Sequence, residues 1–192
     1  MVHFHKKWWI KKLAISLSKI FITCYKVRYG NKVHFGKSVI INHKFNLSGE
    51  GKLFVSDNAN LWAHAEPNSF NFYNKDAIIK IGSNSRLNGL TCHCAKSIEI
   101  GNHCLIGSSI IMDTDFHTFD DPDHILHGNP KSKAISIGNN VWLCGQSVVL
   151  KGCQIGNKTV VGFRAVVTKS FPEDVVVAGN PAKVVKSKEK SC

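Results

Sequence analysis

Residues 137–167 decide how the chain is read: Ile137-Gly-Asn-Asn-Val-Trp-Leu143-Cys-Gly-Gln-Ser-Val-Val149-Leu-Lys-Gly-Cys-Gln-Ile155-Gly-Asn-Lys-Thr-Val-Val161-Gly-Phe-Arg-Ala-Val-Val167. Ile137, Leu143, Val149, Ile155, Val161 and Val167 recur at intervals of six. Four places after each stand Val141, Ser147, Cys153, Thr159, Ala165 and Phe171, small or apolar apart from the closing aromatic. A spacing of six cannot keep to one face of an α-helix, whose period is 3.6, and a sandwich of half-buried strands would show period two with no fixed six. It suits a triangular parallel β-helix, in which each hexapeptide is a short strand plus a turn and three make one coil. The aliphatics then stack in columns inside a narrow core where only small residues fit beside them, and backbone hydrogen bonds run from coil to coil.

The same beat runs upstream through Ile100-Gly101, Ile106-Gly107 and Met112-Asp113, with weaker copies at Ile81-Gly82 and Val55-Ser-Asp-Asn-Ala59. It breaks between Met112 and Ile137. Ile100 and Ile137 are 37 residues apart, one more than two coils of 18, so the spacing predicts an extruded loop over about 113–136 replacing part of a coil. The stretch from Asp113 to His124 carries five of the chain's 13 acids, together with His117. A polar, histidine-bearing interruption of a regular scaffold is where function is expected.

Upstream of the repeat the period is helical. From Trp8 to about Lys26, Trp9, Leu13, Leu17, Ile20, Phe21 and Cys24 fall three and four apart, with Lys7, Lys11, Lys12, Ser18 and Lys19 between them. Residues 1–52 hold eleven Lys/Arg against one acid, Glu50, and so carry most of the net charge of +12. This basic amphipathic helix has two compatible readings: its apolar stripe packs on the rest of the chain, or it lies on an anionic membrane surface. No stretch reaches the ~20 apolar residues that span a bilayer, and no small-residue cleavage site follows the apolar run. Seven cysteines, an odd number, in a chain of 43 % hydrophobic content argue against a secreted disulfide framework and for a reducing, cytoplasmic setting. Composition excludes collagen-like, mucin-like and wholly disordered chains.

From roughly Gly36 to Lys186 the chain resembles the hexapeptide-repeat acyltransferases, in the branch of galactoside and maltose acetyltransferases and surface-polysaccharide O-acetyltransferases. The residues that carry the likeness are Ile137-Gly-Asn-Asn-Val-Trp142, Val149-Leu-Lys-Gly152, Ile155-Gly156, Val166-Val-Thr-Lys169 and Ala178-Gly-Asn-Pro-Ala-Lys183. The resemblance implies a mainly β fold, a left-handed parallel β-helix of hexapeptide repeats with the N-terminal amphipathic α-helix added. It divides the chain into the helix (1–30), the acyltransferase domain (31–186) and a basic tail (187–192). It also implies direct acetyl transfer from acetyl-CoA, without a metal, to a saccharide hydroxyl of a surface glycan or its precursor, at sites between the subunits of a homotrimer. By the same likeness His117 is the general base, supported by Asp113 or Asp115. A neutral imidazole suits this work, since a sugar hydroxyl is a poor nucleophile until its proton is taken.

Carried over position by position, Trp142, Gly145, Thr168, Lys169 and Lys183 line the donor groove, with a backbone N–H near Gly145 facing the developing oxyanion. The family's usual Gly-Ala-Gly-Ser reads Gly162-Phe163-Arg164-Ala165 here, which brings an aromatic ring and a guanidinium to the groove. Asn88 is nearest to the family's acceptor-positioning asparagine, although counting back from the shared Ile-Gly lands on Leu87. Other readings are an N-acetyltransferase of a nucleotide-linked amino sugar, a non-catalytic β-helix scaffold, and a carbonic-anhydrase-like metal site using His93, His103 and His117. Cys92-His93-Cys94 with Cys104 suggests zinc. In an extended strand, however, His93 points away from both thiols, so structural cysteines and no metal are expected. Nucleic acid is suggested by charge alone, without a recognition motif, and is not expected as a partner.

Overall fold

The computed structural model describes residues 8–118 and 130–187, with side chains from Leu13 onward. The side chains of Trp9, Lys11 and Lys12, together with Lys7, Asp120, Asp121, Asp123, His124 and residues 188–192, lie outside the described part.

Three parallel sheets form the walls of a β-helix. The first face stacks Val33–Phe35, Lys52–Val55, Ile78–Ile81, Ser97–Ile100, Ile135–Ile137 and Gln154–Ile155. The second stacks Ile40–Ile41, Asn60–Leu61, Arg86–Leu87, Leu105–Ile106, Trp142–Leu143, Val160–Val161 and Val175–Ala178. It ends on Lys183–Ser187, which runs antiparallel to its neighbour. The third stacks Phe45–Ser48, Asn68–Phe72, Thr91–Cys94, Ile110–Met112, Val148–Val149 and Val166–Val167.

All six aliphatics of the 137–167 series and all six of their small partners are buried. The columns form because the strands stack without slippage. Phe35, Val55, Ile81, Ile100, Ile137 and Ile155 are consecutive Cα partners. Burying each such side chain is worth about 1.5–3 kcal/mol. The corner from the first to the second face repeats one backbone feature, a residue at φ +57 to +59° at Ser38, Asn58, Asn84, His103, Asn140, Lys158 and Asp174. Asparagine, which tolerates this left-handed region better than most residues, fills three of these seven positions.

Two expectations change. Ile100 and Ile137 are direct partners on adjacent coils, so the expected extrusion is an addition to a complete coil and does not replace part of one. The insertion leaves at the corner between the third and first faces and returns there without disturbing register. The helix, α1 (Trp8–Tyr29), also turns a different side inward from the one its periodicity picks out. Ser18, taken as a polar-face residue, is 1 % exposed, while Leu13, Leu17, Ile20 and Cys24 face outward. The reason lies in what the helix covers, the open edge of the first coil with its unpaired backbone groups. Ser18 Oγ donates to Ile41 O (2.6 Å) and accepts from Ile41 N (3.2 Å), Tyr29 donates to Leu47 O (2.7 Å), and Tyr25 donates to Phe45 O. Hydroxyls meet the backbone of that edge, and Phe21, Ile22, Tyr25 and Tyr29 pack against the core beside it.

Candidate active site

The extruded segment begins at Asp113, directly after the third-face strand Ile110–Met112. Its neck is a short antiparallel contact. Thr114 bridges Ser132, Asp115 N donates to Lys131 O (3.2 Å) and Lys133 N to Asp113 O (2.9 Å). The neck is tied to the next coil by Gly152 N donating to Lys133 O (3.1 Å) and by an ion pair between Lys151 and Asp115. Phe116 then takes φ +64°, and His117 N turns back onto Asp115 O at 2.8 Å. The chain is thus not extended from Asp113 to His117, and the three side chains do not share one face.

Their surroundings differ accordingly. His117 is exposed. Asp113 is fully buried at 0 % exposure, its two carboxylate oxygens accepting from Ala95 N (2.6 Å) and Lys96 N (2.8 Å) of the preceding coil. It is therefore a scaffold residue that fixes the root of the insertion, not a partner of the imidazole. Burial, reinforced by the Asp113 charge, pushes the Cys92 and Cys94 thiols far above the usual cysteine range. Asp115 is engaged by Lys151.

Phe116, the sequence neighbour of His117, belongs to a cluster that sequence reasoning missed. Phe116 packs edge-on against both Tyr73 (centroids 5.1 Å apart) and His93 (5.2 Å). The Tyr73 hydroxyl lies 2.9 Å from His93 Nδ1. Partial burial lowers the His93 pKa and raises that of Tyr73. Coil stacking brings these groups together, since His93 is the register partner of Met112 and Tyr73 follows the strand one coil earlier. His93 does point away from Cys92 and Cys94, both buried in the core. Tyr73 sits at an irregular corner without a periodic signature. The one available signal was Phe116 beside His117.

The predicted donor-groove residues divide between two corners. Trp142 projects from the second face, exposed, between register partners Leu105 and Val160. At the next corner Gly145 lies against the Phe163 ring, whose nearest atom is 3.6 Å from where a Cβ on residue 145 would stand. Arg164 stacks on Phe163 at 5.2 Å from the ring centroid and donates from Nε to Gln146 Oε1 (2.6 Å). Asn88 occupies the same corner on an earlier coil, its Oδ1 accepting from His64 N (2.9 Å). Lys183 opens the final strand opposite Ala178 and is exposed. Thr168 and Lys169 belong to the other corner, where the insertion leaves, and Lys169 Nζ lies 5.9 Å from the Phe171 ring centroid. One chain therefore carries His117, Asp115, Lys151, Thr168 and Lys169 on one corner, and Asn88, Gly145, Phe163 and Arg164 on another. Among the described residues no group of three or more His, Cys, Asp or Glu is arranged to hold a metal ion.

Residues 134–169, which supply parts of all three faces of the β-helix, match the family model for the bacterial transferase hexapeptide, six repeats. WbbJ of Escherichia coli, named for lipopolysaccharide biosynthesis O-acetyl transfer, is 31 % identical over 173 residues, covering 85 % of this chain and 75 % of WbbJ. The chain belongs to the hexapeptide-repeat acetyltransferase family. The galactoside O-acetyltransferase of Lactococcus lactis is 35 % identical over 114 residues, which cover 59 % of this chain and only 54 % of that protein, little more than half its length. A galactoside acetyltransferase solved in complex with coenzyme A superposes with a TM-score of 0.58 at 33 % identity, covering 69 % of this chain and 64 % of the other.

Proposed function

We propose that this chain transfers an acetyl group from acetyl-CoA to a hydroxyl of a saccharide, a surface glycan or its precursor, with His117 as general base. The observation that carries the reading is the exposed His117 at the neck of the insertion, directly after Phe116 in sequence, whose ring packs on Tyr73. Aromatic faces such as those of Tyr73 and Phe116 suit the C–H surface of a sugar ring, and an exposed imidazole suits removal of a hydroxyl proton. His117 takes the hydroxyl proton as the oxygen forms its bond to the acetyl carbon, and it returns that proton to the departing sulfur as the C–S bond breaks. The Gly145 N–H is the donor for the charge that develops on the carbonyl oxygen. Acetyl-CoA supplies an activated acetyl group. Trp142, Phe163, Arg164 and Lys183 suit it chemically, since exposed aromatic and cationic groups fit an adenine ring and phosphates.

The two-corner division argues that a complete site needs two chains, the His117 corner of one meeting the Gly145 corner of another. A homotrimer with parallel axes would form three such sites. The outer surfaces support this reading. The second and third faces expose Leu105, Trp142 and Ile110, whereas the first turns a Lys80–Glu99 ion pair (2.7 Å), Ser136 and Gln154 outward.

The test is His117→Ala in the full chain, assayed with acetyl-CoA and a panel of saccharides and titrated calorimetrically with acetyl-CoA. Turnover is expected to fall about 10²–10⁴-fold while about one donor molecule per chain still binds. Near-full activity in the variant would remove His117 from the role of base.

A further inference from the structure

The covered face of α1 leaves a second apolar face unpartnered. Leu13, Leu17, Ile20 and Val27 are 40–82 % exposed, and Cys24 between them is exposed as well. Their spacing of four, three, four and three gives one continuous stripe along the side of the helix opposite Ser18. Charged residues flank it. On the helical wheel Arg28 lies along one margin, while on the other side the exposed Ser16 and Thr23 adjoin the stripe and the exposed Lys19 and Lys26 follow beyond them; α1 contains no acidic residue. At the C-terminal end of the stripe a shallow cavity of about 360 Å³ opens between helix and first coil, lined by Cys24, Tyr25, Arg28, Tyr29, Asn46 and Leu47. It presents hydroxyl, amide and guanidinium groups, and no carboxylate. Among the described residues the nearest acid in sequence is Glu50, which faces Lys32 at 3.9 Å.

We propose that this face of α1 docks the protein on an anionic lipid surface, lying in the interface plane without spanning it. Apolar residues along one line, with exposed cations on the flanks of the helix and no acid among them, are what a helix needs to sink its stripe to the acyl boundary while its charges stay among the headgroups. Each Lys or Arg held near an anionic leaflet adds to the attraction. A second copy of the chain is the weaker occupant, because stripe-to-stripe pairing would bring two acid-free basic flanks together. No described helix is long and apolar enough to cross a membrane. The inference does not depend on the chemistry proposed for His117.

The experiment is co-sedimentation of the full chain with vesicles of phosphatidylglycerol and phosphatidylcholine, against vesicles of phosphatidylcholine alone, at low and moderate salt. Two variants accompany it: Leu17→Ser/Ile20→Ser/Val27→Ser, and Lys19→Glu/Lys26→Glu. All five side chains are exposed, so melting temperature and acetyl-CoA binding are expected to match the parent. The parent is expected to bind anionic vesicles at least about tenfold more tightly than neutral ones, and each variant to lose about tenfold or more. Failure of the parent to sediment with anionic vesicles overturns the proposal. So does parent-like binding by the stripe variant. Loss of oligomer mass in that variant by light scattering, without a change in vesicle binding, overturns it in favour of a chain-to-chain contact.

Discussion

Asp113 and His117 stand four residues apart and have opposite surroundings. Asp113 spends both carboxylate oxygens on the backbone of Ala95 and Lys96 inside the preceding coil. Asp113→Asn leaves one of those buried N–H groups without its acceptor, which costs about 1–3 kcal/mol. The expected result is a lower melting temperature with the pH profile of turnover unchanged, whereas a catalytic partner of His117 would shift that profile. His93 offers a pH test. Burial holds its pKa below the ordinary histidine value of 6.5, so protonation is harder in the folded chain than in the unfolded one. Its contribution to stability is intact above that value and is lost as pH falls through the lowered one. A histidine NMR titration should place the His93 midpoint below 6.5. Nothing in the sequence separated Asp113 from Asp115 as supports for His117, because side chains two apart share a face only while the strand stays extended. Phe116 at φ +64° ends that extension.

Among the elements, the hexapeptide columns were legible because spacing and register are the same fact in a solenoid. An aliphatic every six residues must stack if three short strands make a coil. The early coils were harder to read, since Phe35, Val55 and Ile81 stack at separations of 20 and 26 residues. The inner face of α1 was legible only in part: Phe21 of the periodic stripe packs on the core, whereas Ser18, Tyr25 and Tyr29 meet backbone carbonyls, a contact that hydrophobic periodicity does not report. Ser18→Ala is accordingly expected to destabilise by about 1–3 kcal/mol, as it strands both the N–H and the carbonyl of Ile41 in a buried site. Thermal unfolding of Ser18→Ala beside Ser16→Ala, at an exposed helix position, would measure it. At the corners, glycine is required where coils approach. A Cβ on residue 101 would come within 2.6 Å of the Gly138 backbone, so Gly101→Ala should cost about 1–3 kcal/mol through forced coil separation. At Gly145 the same atom meets only the Phe163 ring at 3.6 Å, and Gly145→Ala should fold normally.

For the whole molecule, the two-corner arrangement makes a prediction that no single-chain site would share. Two inactive variants, His117→Ala and one with Trp142→Ala and Arg164→Ala on the other corner, should restore activity when co-expressed. If chains mix at random, a site built from the intact halves of two neighbours arises about one quarter of the time. Activity near that fraction of the parent supports shared sites, and none supports a site within each chain. Light scattering of the parent should give the mass of three chains of 21.3 kDa.

The edge covered by α1 also bears on how the molecule ends. A stack of parallel strands has no intrinsic length, since each coil offers the next an unpaired row of N–H and C=O groups. Ser18, Tyr25 and Tyr29 occupy that row at one end, and the antiparallel strand Lys183–Ser187 closes the second sheet at the other. The helix is thus a chain terminator in the polymer sense. Without it, the first-coil strands of one molecule would be free to template on another, and discrete oligomers would give way to fibres.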